Sequence, residues 1–354
     1  MMPSKAQFGG AVTCPVPLPA GDRVLLGHGS GGKLSAQLME RVFLPSFGNP
    51  TLDQLNDQAT VEIDGVRLAM TTDSFVVKPL FFPGGDIGSL AVHGTINDLA
   101  MGGARPLYLS VAFILEEGLP LETLQRITES LRCAAEKAGV QIVTGDTKVV
   151  EQGNGDGLFI NTTGIGVVPK SLALGSDQAR PGDKIILSGS LGDHGIAILA
   201  QREGLEFETT IQSDSVPLHG LVDAILATGA TIRCMRDPTR GGLSSSLNEI
   251  AQRSRVGMVI EEEQIPVREE VRGACELLGL DPLYVANEGK MIAIVEPSAA
   301  DRVAEAMRGH EYGREARVIG TVIDQQRGTV VMKTTFGTTR IVDMLAGDQL
   351  PRIC

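Results

Sequence analysis

IGSLAVHGTINDLAMGGARPLYLSVAFIL, residues 87–115, changes its hydrophobic period partway along. Leu90, Ala91, Ile96, Leu99 and Ala100 recur at helical spacing, which predicts a helix with Asp98 near its end. After Gly102 and Gly103, RPLYLSVAFIL reads as a strand. The same alternation continues on both sides. VRLAMTTD (66–73) is expected to be a strand that ends in a loop carrying Asp73. LETLQRITESLRCAAEKAG (121–139) has the pattern of an amphipathic helix stopped by Gly139. VQIVTGDTK (140–148) predicts a strand running into a second acidic loop, and GLFINTTGIGVVP (157–169) completes an α+β domain. GSDQARPGDKI (175–185) has the composition of a linker. Beyond it the α/β style repeats, from strand KIILSGS (184–190) through helix SAADRVAEAMRGH (298–310) to strands ARVIGTVI (316–323) and GTVVMKTTFG (328–337).

The 354 residues suit two domains of ordinary size, and 42% hydrophobic with 21% charged residues is a globular composition. A formal net charge of -12 argues against nucleic acid or an anionic membrane as main partner. It leaves nucleotides open, because carboxylates hold phosphates through Mg²⁺. Five widely spaced cysteines, with no metal-ligand spacing and no basic-then-apolar start, point to reduced thiols in a cytoplasm. Residues 1–25 read as a loose extension.

The 43 glycines cluster with acidic and hydroxyl residues, where backbone turns sharply or approaches a ligand. Asp73, Asp98, Asp146 and Asp237 each stand in such a loop or at a helix end. They either cap turns, as Asp often does, or converge on one metal–nucleotide site. GHGSGGK (27–33) lacks the Walker spacing, yet its small residues and Lys33 could cradle phosphate before a helix; a flexible linker is the competing reading. Lys148 and Glu288 are charges in small, apolar surroundings, serving either an ion pair or acid–base chemistry. His93, His194 and His219 have the weaker look of isolated structural histidines. The sequence closes on GDQLPRIC (347–354), which leaves a thiol, Cys354, where a core holds it poorly. An extended stretch from Met344 to Cys354 reaches roughly 33–36 Å, at about 3.3–3.6 Å per residue.

The motifs GHGSGG, TTDSFVV, PLFFPGGDIG, INDLAMGGARP, ILEEGLP, IVTGDTKVV, LSGSLGDHG, RDPTRGGL, CELLGLDPL, ANEGK and terminal PRIC together resemble the HypE family of [NiFe]-hydrogenase maturation factors. That family lies within the PurM-like (aminoimidazole ribotide synthetase) superfamily. The resemblance runs from about Leu26 to Cys354 and implies a PurM-like two-domain fold. It implies an N-terminal domain (26–170) that binds ATP and dimerises through its β-sheet, a C-terminal α/β domain (175–345) and a mobile tail (346–354) carrying Cys354. The implied reaction is ATP-dependent dehydration of a carbamoyl group on that thiol to a thiocyanate, the source of the iron's CN ligand. The implied partners are the carbamoyltransferase HypF, the HypC–HypD complex as CN acceptor, and a second copy of the chain.

On this basis ATP is expected at His28, Gly29, Ser30, Gly31, Gly32, Lys33, Asp73, Asn97, Asp98, Asp146, Thr147 and Asp237, with Mg²⁺ on the four aspartates. Glu288 is expected as the base and Lys148 as an orienting cation. Two other readings compete. One is a related synthetase of selenophosphate type, which would place a reactive Cys beside Lys33, whereas Cys14 is the nearest upstream cysteine. The other is a non-catalytic scaffold that passes on a thiol-bound group.

Overall fold

The computed structural model describes residues 23–205, 211–347, 350 and 352–354. Residues 1–22 of the expected extension and part of the tail therefore lie outside the described residues. The first half builds a five-stranded sheet from β1 (Ala59–Ile63), β2 (Val66–Phe75), β5 (Arg105–Glu116), β6 (Gln141–Val150) and β7 (Leu158–Val167). Their order is β1-β2-β7-β5-β6, and every pair is antiparallel except β5 with β6. A short hairpin, β3 (Phe81–Phe82) with β4 (Gly85–Asp86), leads into helix α3 (Ile87–Met101). Before the sheet come the short helices α1 (Lys33–Leu38) and α2 (Leu44–Phe47).

Helix α3 starts where Asp86 accepts the amides of Gly88 and Ser89, at 2.7 and 3.1 Å, and satisfies two of the orphan donors of a helix start. It is buried around most of its circumference, as a helix clamped between layers must be. One side lies on the sheet so closely that a Cβ at Gly164 of β7 would stand 2.8 Å from Thr95 Cγ2. Helix α4 (Leu121–Lys137) covers α3 with Ile127, Leu131, Ala134 and Ala135 and leaves its charged side to solvent.

The second half forms a seven-stranded sheet, ordered β14-β13-β10-β12-β8-β11-β9. Its strands are β8 (Lys184–Leu187), β9 (Ile232–Arg236), β10 (Gly257–Glu261), β11 (Ile292–Val295), β12 (Arg317–Ile323), β13 (Val330–Lys333) and β14 (Thr339–Val342). In β8, Ile185 and Leu187 enter one core with helix α7 (Gly242–Ser254). Ile186 enters another with α6 (His219–Leu226) and α9 (Ala300–Arg308). Helices α5 (Asp193–Glu203) and α8 (Glu269–Leu278) join the α3–α4 core, so the two halves share apolar packing.

The α/β alternation of the sequence is present, with corrections. Asp73 lies within β2 and Asp146 within β6, not in loops beyond them. Ladder pairing with β7 and β5 carries both strands onward. β1, β9 and β14 were not anticipated. None of the four described cysteines is in a disulfide, and among the described residues no helix is long and apolar enough to cross a membrane.

Candidate active site

Asp73, Asp98, Asp237 and Glu288, each buried or half-buried, meet from both halves at a cavity of about 650 Å³ that Asp57 and Glu249 also line. Asp73 comes from β2, and Asp98 comes from the last turn of α3, where Thr71 donates to it at 2.8 Å. Asp237 follows β9 in the turn RDPTRGG, whose Gly241 and Gly242 have φ of 77° and 62°. A Cβ at Gly241 would stand 2.2 Å from Ser245 Oγ, so glycine is what lets this turn start α7.

Glu288 precedes β11 in a stretch fixed on every side. Its amide donates to Asp214 Oδ1 at 3.0 Å and its carbonyl accepts from Asn97 at 3.1 Å. A Cβ at neighbouring Gly289 would stand 1.7 Å from the Asp214 carbonyl, so only glycine permits this approach. The Glu288 carboxyl itself is buried, and its Oε1 has no hydrogen-bond partner.

Crowding and dehydration set the electrostatics. Burial pushes Asp98 well above the usual carboxylate range, and the charges of Asp237, Asp73 and Asp57 add to it. Burial, then Asp57, pushes Asp237 up to about 8. Glu288 is likewise pushed well above its ordinary value by burial, then by Asp237 and Asp73. Asp73 is raised by burial and partly restrained by Arg240, whose Nη2 stands 4.0 Å away. A site that holds four acids apart from water and close to one another favours a cation among them.

That is the donor set a hard divalent ion takes: carboxylate oxygens, with further positions open for water or phosphate. The residues therefore fit Mg²⁺ shared with phosphates. Among the described residues no three His, Cys, Asp or Glu side chains already stand at ligating distance of one point. The four-aspartate cage expected from sequence is not assembled in one chain.

Gly31, Gly32, Asp73, Asp98, Asp237, Glu288 and Cys354 line this cavity. Gly29 and Ser30 line a smaller adjoining cavity, which Cys354 also reaches. The remaining expected residues stand elsewhere. His28 turns back on its own loop, accepting the Leu25 amide at 2.9 Å. Lys33 pairs with Asp343 at 2.5 Å, and its amide donates to the Leu345 carbonyl, so it clamps the base of the tail. Asn97 is fully buried and spends its amide on the carbonyls of Val216 and Glu288 and on the Leu218 N–H. It positions backbone and does not face the cavity. Asp146, Thr147 and Lys148 lie exposed on edge strand β6, outside the cavity, with Lys148 paired to Asp146 at 2.7 Å.

The described residues at the end of the tail, 350 and 352–354, lie against the first half. Cys354 and Arg352 offer their carbonyls to the amides of Val76 and Lys78 at 3.0 and 3.1 Å, just beyond β2. Leu350 and Ile353 are buried in the core that α3 and α5 share, and Arg352 forms an ion pair with Asp156.

Sequence reasoning missed Arg240 and Asp57. Arg240 stands inside RDPTRGGL, three residues after Asp237 and just before the two glycines of the turn. Asp57 sits in LNDQAT with no glycine to mark it, and becomes legible only through its pairing with Arg236 at 3.3 Å.

Known proteins share both the chain's domains and this arrangement of the fold. Residues 55–168 match the N-terminal domain of AIR synthase related proteins and residues 180–333 the C-terminal domain. The carbamoyl dehydratase HypE of Azotobacter vinelandii is 63% identical over 92% of this chain and 96% of its own length. A crystal structure of the hydrogenase maturation protein HypE in complex with ATP covers 94% of this chain and 100% of its own, at 50% identity and a TM-score of 0.80. A HypE–HypF complex gives 0.83 at 49% identity, covering 87% of this chain and 99% of that one. Identity of this extent over nearly the whole length places the chain in the HypE family of carbamoyl dehydratases, among the AIR synthase related proteins.

Proposed function

We propose that the chain dehydrates a carbamoyl group carried on Cys354 to a thiocyanate at the expense of ATP, supplying the CN ligand of a [NiFe]-hydrogenase iron. One observation carries this reading: Cys354 lines the same cavity as Asp73, Asp98, Asp237 and the unpartnered carboxyl of Glu288. A relative solved with ATP and the family's dehydratase name support it.

The carbonyl oxygen of a carbamoyl group is a poor leaving group, and ATP supplies the phosphoryl group that lets it depart as phosphate. Asp73, Asp98 and Asp237 would hold a Mg²⁺ that offsets phosphate charge. Gly31 and Gly32 line the cavity, and they are glycines because a Cβ would stand 2.6 Å from the Arg240 carbonyl oxygen and 2.2 Å from that of Leu345. As the oxygen leaves, the nitrogen must lose two protons. Glu288, with one oxygen uncommitted and an affinity for protons raised by its neighbours, is placed to take one of them.

Asp146 and Lys148 keep a part in this reading only through a second chain. Met70, Tyr108 and Ile165 pair across β2, β7 and β5 and are exposed together, an apolar sheet face that a homodimer would cover. The reading extends to HypF as carbamoyl donor, a HypF complex being known for a relative, and to HypC–HypD as acceptor. The odd, scattered cysteines support a reducing cytoplasm as its setting.

The test is the intact mass of the C-terminal peptide after treatment with HypF, carbamoyl donor and ATP. The loaded wild-type tail should lose the mass of one water. Cys354→Ala should bind ATP and never load, and Glu288→Gln should load and stall. Normal dehydration by Glu288→Gln would remove the base from this scheme.

A further inference from the structure

His194 was set aside in the sequence as an isolated histidine, yet it is fully buried in the first turn of α5 and touches the tail. Its Nε2 lies 2.7 Å from the carbonyl of Ile353, and its Nδ1 lies 2.8 Å from Ser213 Oγ. A backbone carbonyl only accepts, so Nε2 carries the proton. Burial keeps the ring neutral, with a single proton, so Nδ1 must accept from the Ser213 hydroxyl. That hydroxyl oxygen also accepts the Ser215 amide at 3.1 Å, which fixes the orientation of the whole set.

The segment that aims His194 also aims Glu288. Asp214, between the two serines, accepts the Glu288 amide at 3.0 Å and pairs with Lys290 at 3.0 Å. Ser213 itself is anchored to the first half by its amide, which donates to the Pro83 carbonyl at 2.8 Å. Three consecutive residues thus hold the tail's histidine on one side and the base's backbone on the other. Arg352, next along the tail, has φ 59°, a conformation an arginine rarely takes unless neighbouring contacts enforce it.

We propose that His194 is a positioning residue that registers the Cys354 tail against Glu288, by donating to the Ile353 carbonyl from a ring oriented by Ser213. The proposal rests on the dehydratase reading for its purpose. The contact it names is independent of that reading, and the experiment separates the two.

The amides of Val76 and Lys78 report tail docking directly, because they donate to the Cys354 and Arg352 carbonyls. In the full chain, His194→Asn removes a donor at the Nε2 place, while His194→Gln restores one. Losing one hydrogen bond should lower the hydrogen-exchange protection of those two amides about tenfold in the Asn variant. The Gln variant should recover most of it. ATP affinity and loading of Cys354 by HypF should stay unchanged in both, and loaded tails should dehydrate more slowly in the Asn variant alone. Unchanged protection in His194→Asn would overturn the proposal. So would an equal loss of protection in both variants matched by an equal fall in melting temperature, since His194 would then be core packing only. Were the loaded wild-type tail not dehydrated at all, the dehydratase reading would fall, and the exchange protections would still decide the latch.

Discussion

In the seven-stranded sheet Ile185 and Leu187 lie under one layer of helices and Ile186 under another. In the five-stranded sheet Leu158 and Ile160 are buried in the α3 core, while Met70, Tyr108 and Ile165 are bare. Their acids differ in the same way. Asp237, beside the covered sheet, is pushed up to about 8 by burial and Asp57. Asp146, on the bare sheet's edge strand, is held below its ordinary value by Lys148 and the Thr147 amide. A carboxyl that is crowded by like charge can gain from a cation, whereas one already matched to a lysine cannot. The chain brings Asp237 to the cavity with Asp73 and Asp98 and leaves Asp146 and Lys148 on its surface.

The largest expected effect comes from removing a crowded acid. Asp98→Asn should lower ATP turnover on the order of a hundredfold, as losing one preorganised charged partner does in other active sites. The same variant should flatten the pH dependence of stability measured in EDTA. Asp98 has a folded pKa raised above its unfolded value, so the folded state binds more protons. The contribution of Asp98 to wild-type stability is then lost as pH rises from about 4 toward the folded pKa. Asparagine cannot titrate and loses that contribution. Equal slopes for the two proteins would show that Asp98 is not the crowded group.

The bare face predicts the next effect. Ile165→Lys introduces a charge at an exposed position paired with Met70 and Tyr108. It should leave the melting temperature of a single chain nearly unchanged, as exposed substitutions do. It should shift the protein from dimer to monomer in sedimentation at micromolar concentration. A wild type that is already monomeric there would break the comparison between the two sheets.

How much of this could be read in the sequence follows from how local each cause is. α3 was legible because its period and its two following glycines are contiguous. The nearness of Asp73 and Glu288 to a ligand pocket could be read from the small residues beside them, that of Asp237 from the Gly-Gly turn after it, and that of Asp98 from its place at the end of a helical period. The pairing of Lys33 could not be read locally because its partner, Asp343, is at the other end of the chain. Asn97 looked like a ligand contact because nothing near it announces the carbonyls of Val216 and Glu288. The seating of the tail depends on Val76, Lys78 and His194, three residues that no tail sequence can name.

The smallest effect on the fold should come from Lys148→Ala, and for that reason it sharpens the comparison most. Lys148 and Asp146 are both more than 60% exposed, at 69% and 63% of their side-chain surface. Water and salt screen an exposed pair of this kind, so the melting temperature should barely move. If the pair served only β6, activity would be equally untouched. If a second chain brings it to the carbamoyl group, Lys148→Ala should load Cys354 normally and slow the loss of water in the dimer. Mixing it with Glu288→Gln then discriminates further. Each variant supplies what the other lacks, so mixed dimers should regain a working site when base and lysine come from different chains. Regain on mixing, at constant total protein, is the expected result. Mixed samples no faster than the average of the two parents would confine Lys148 to its own strand.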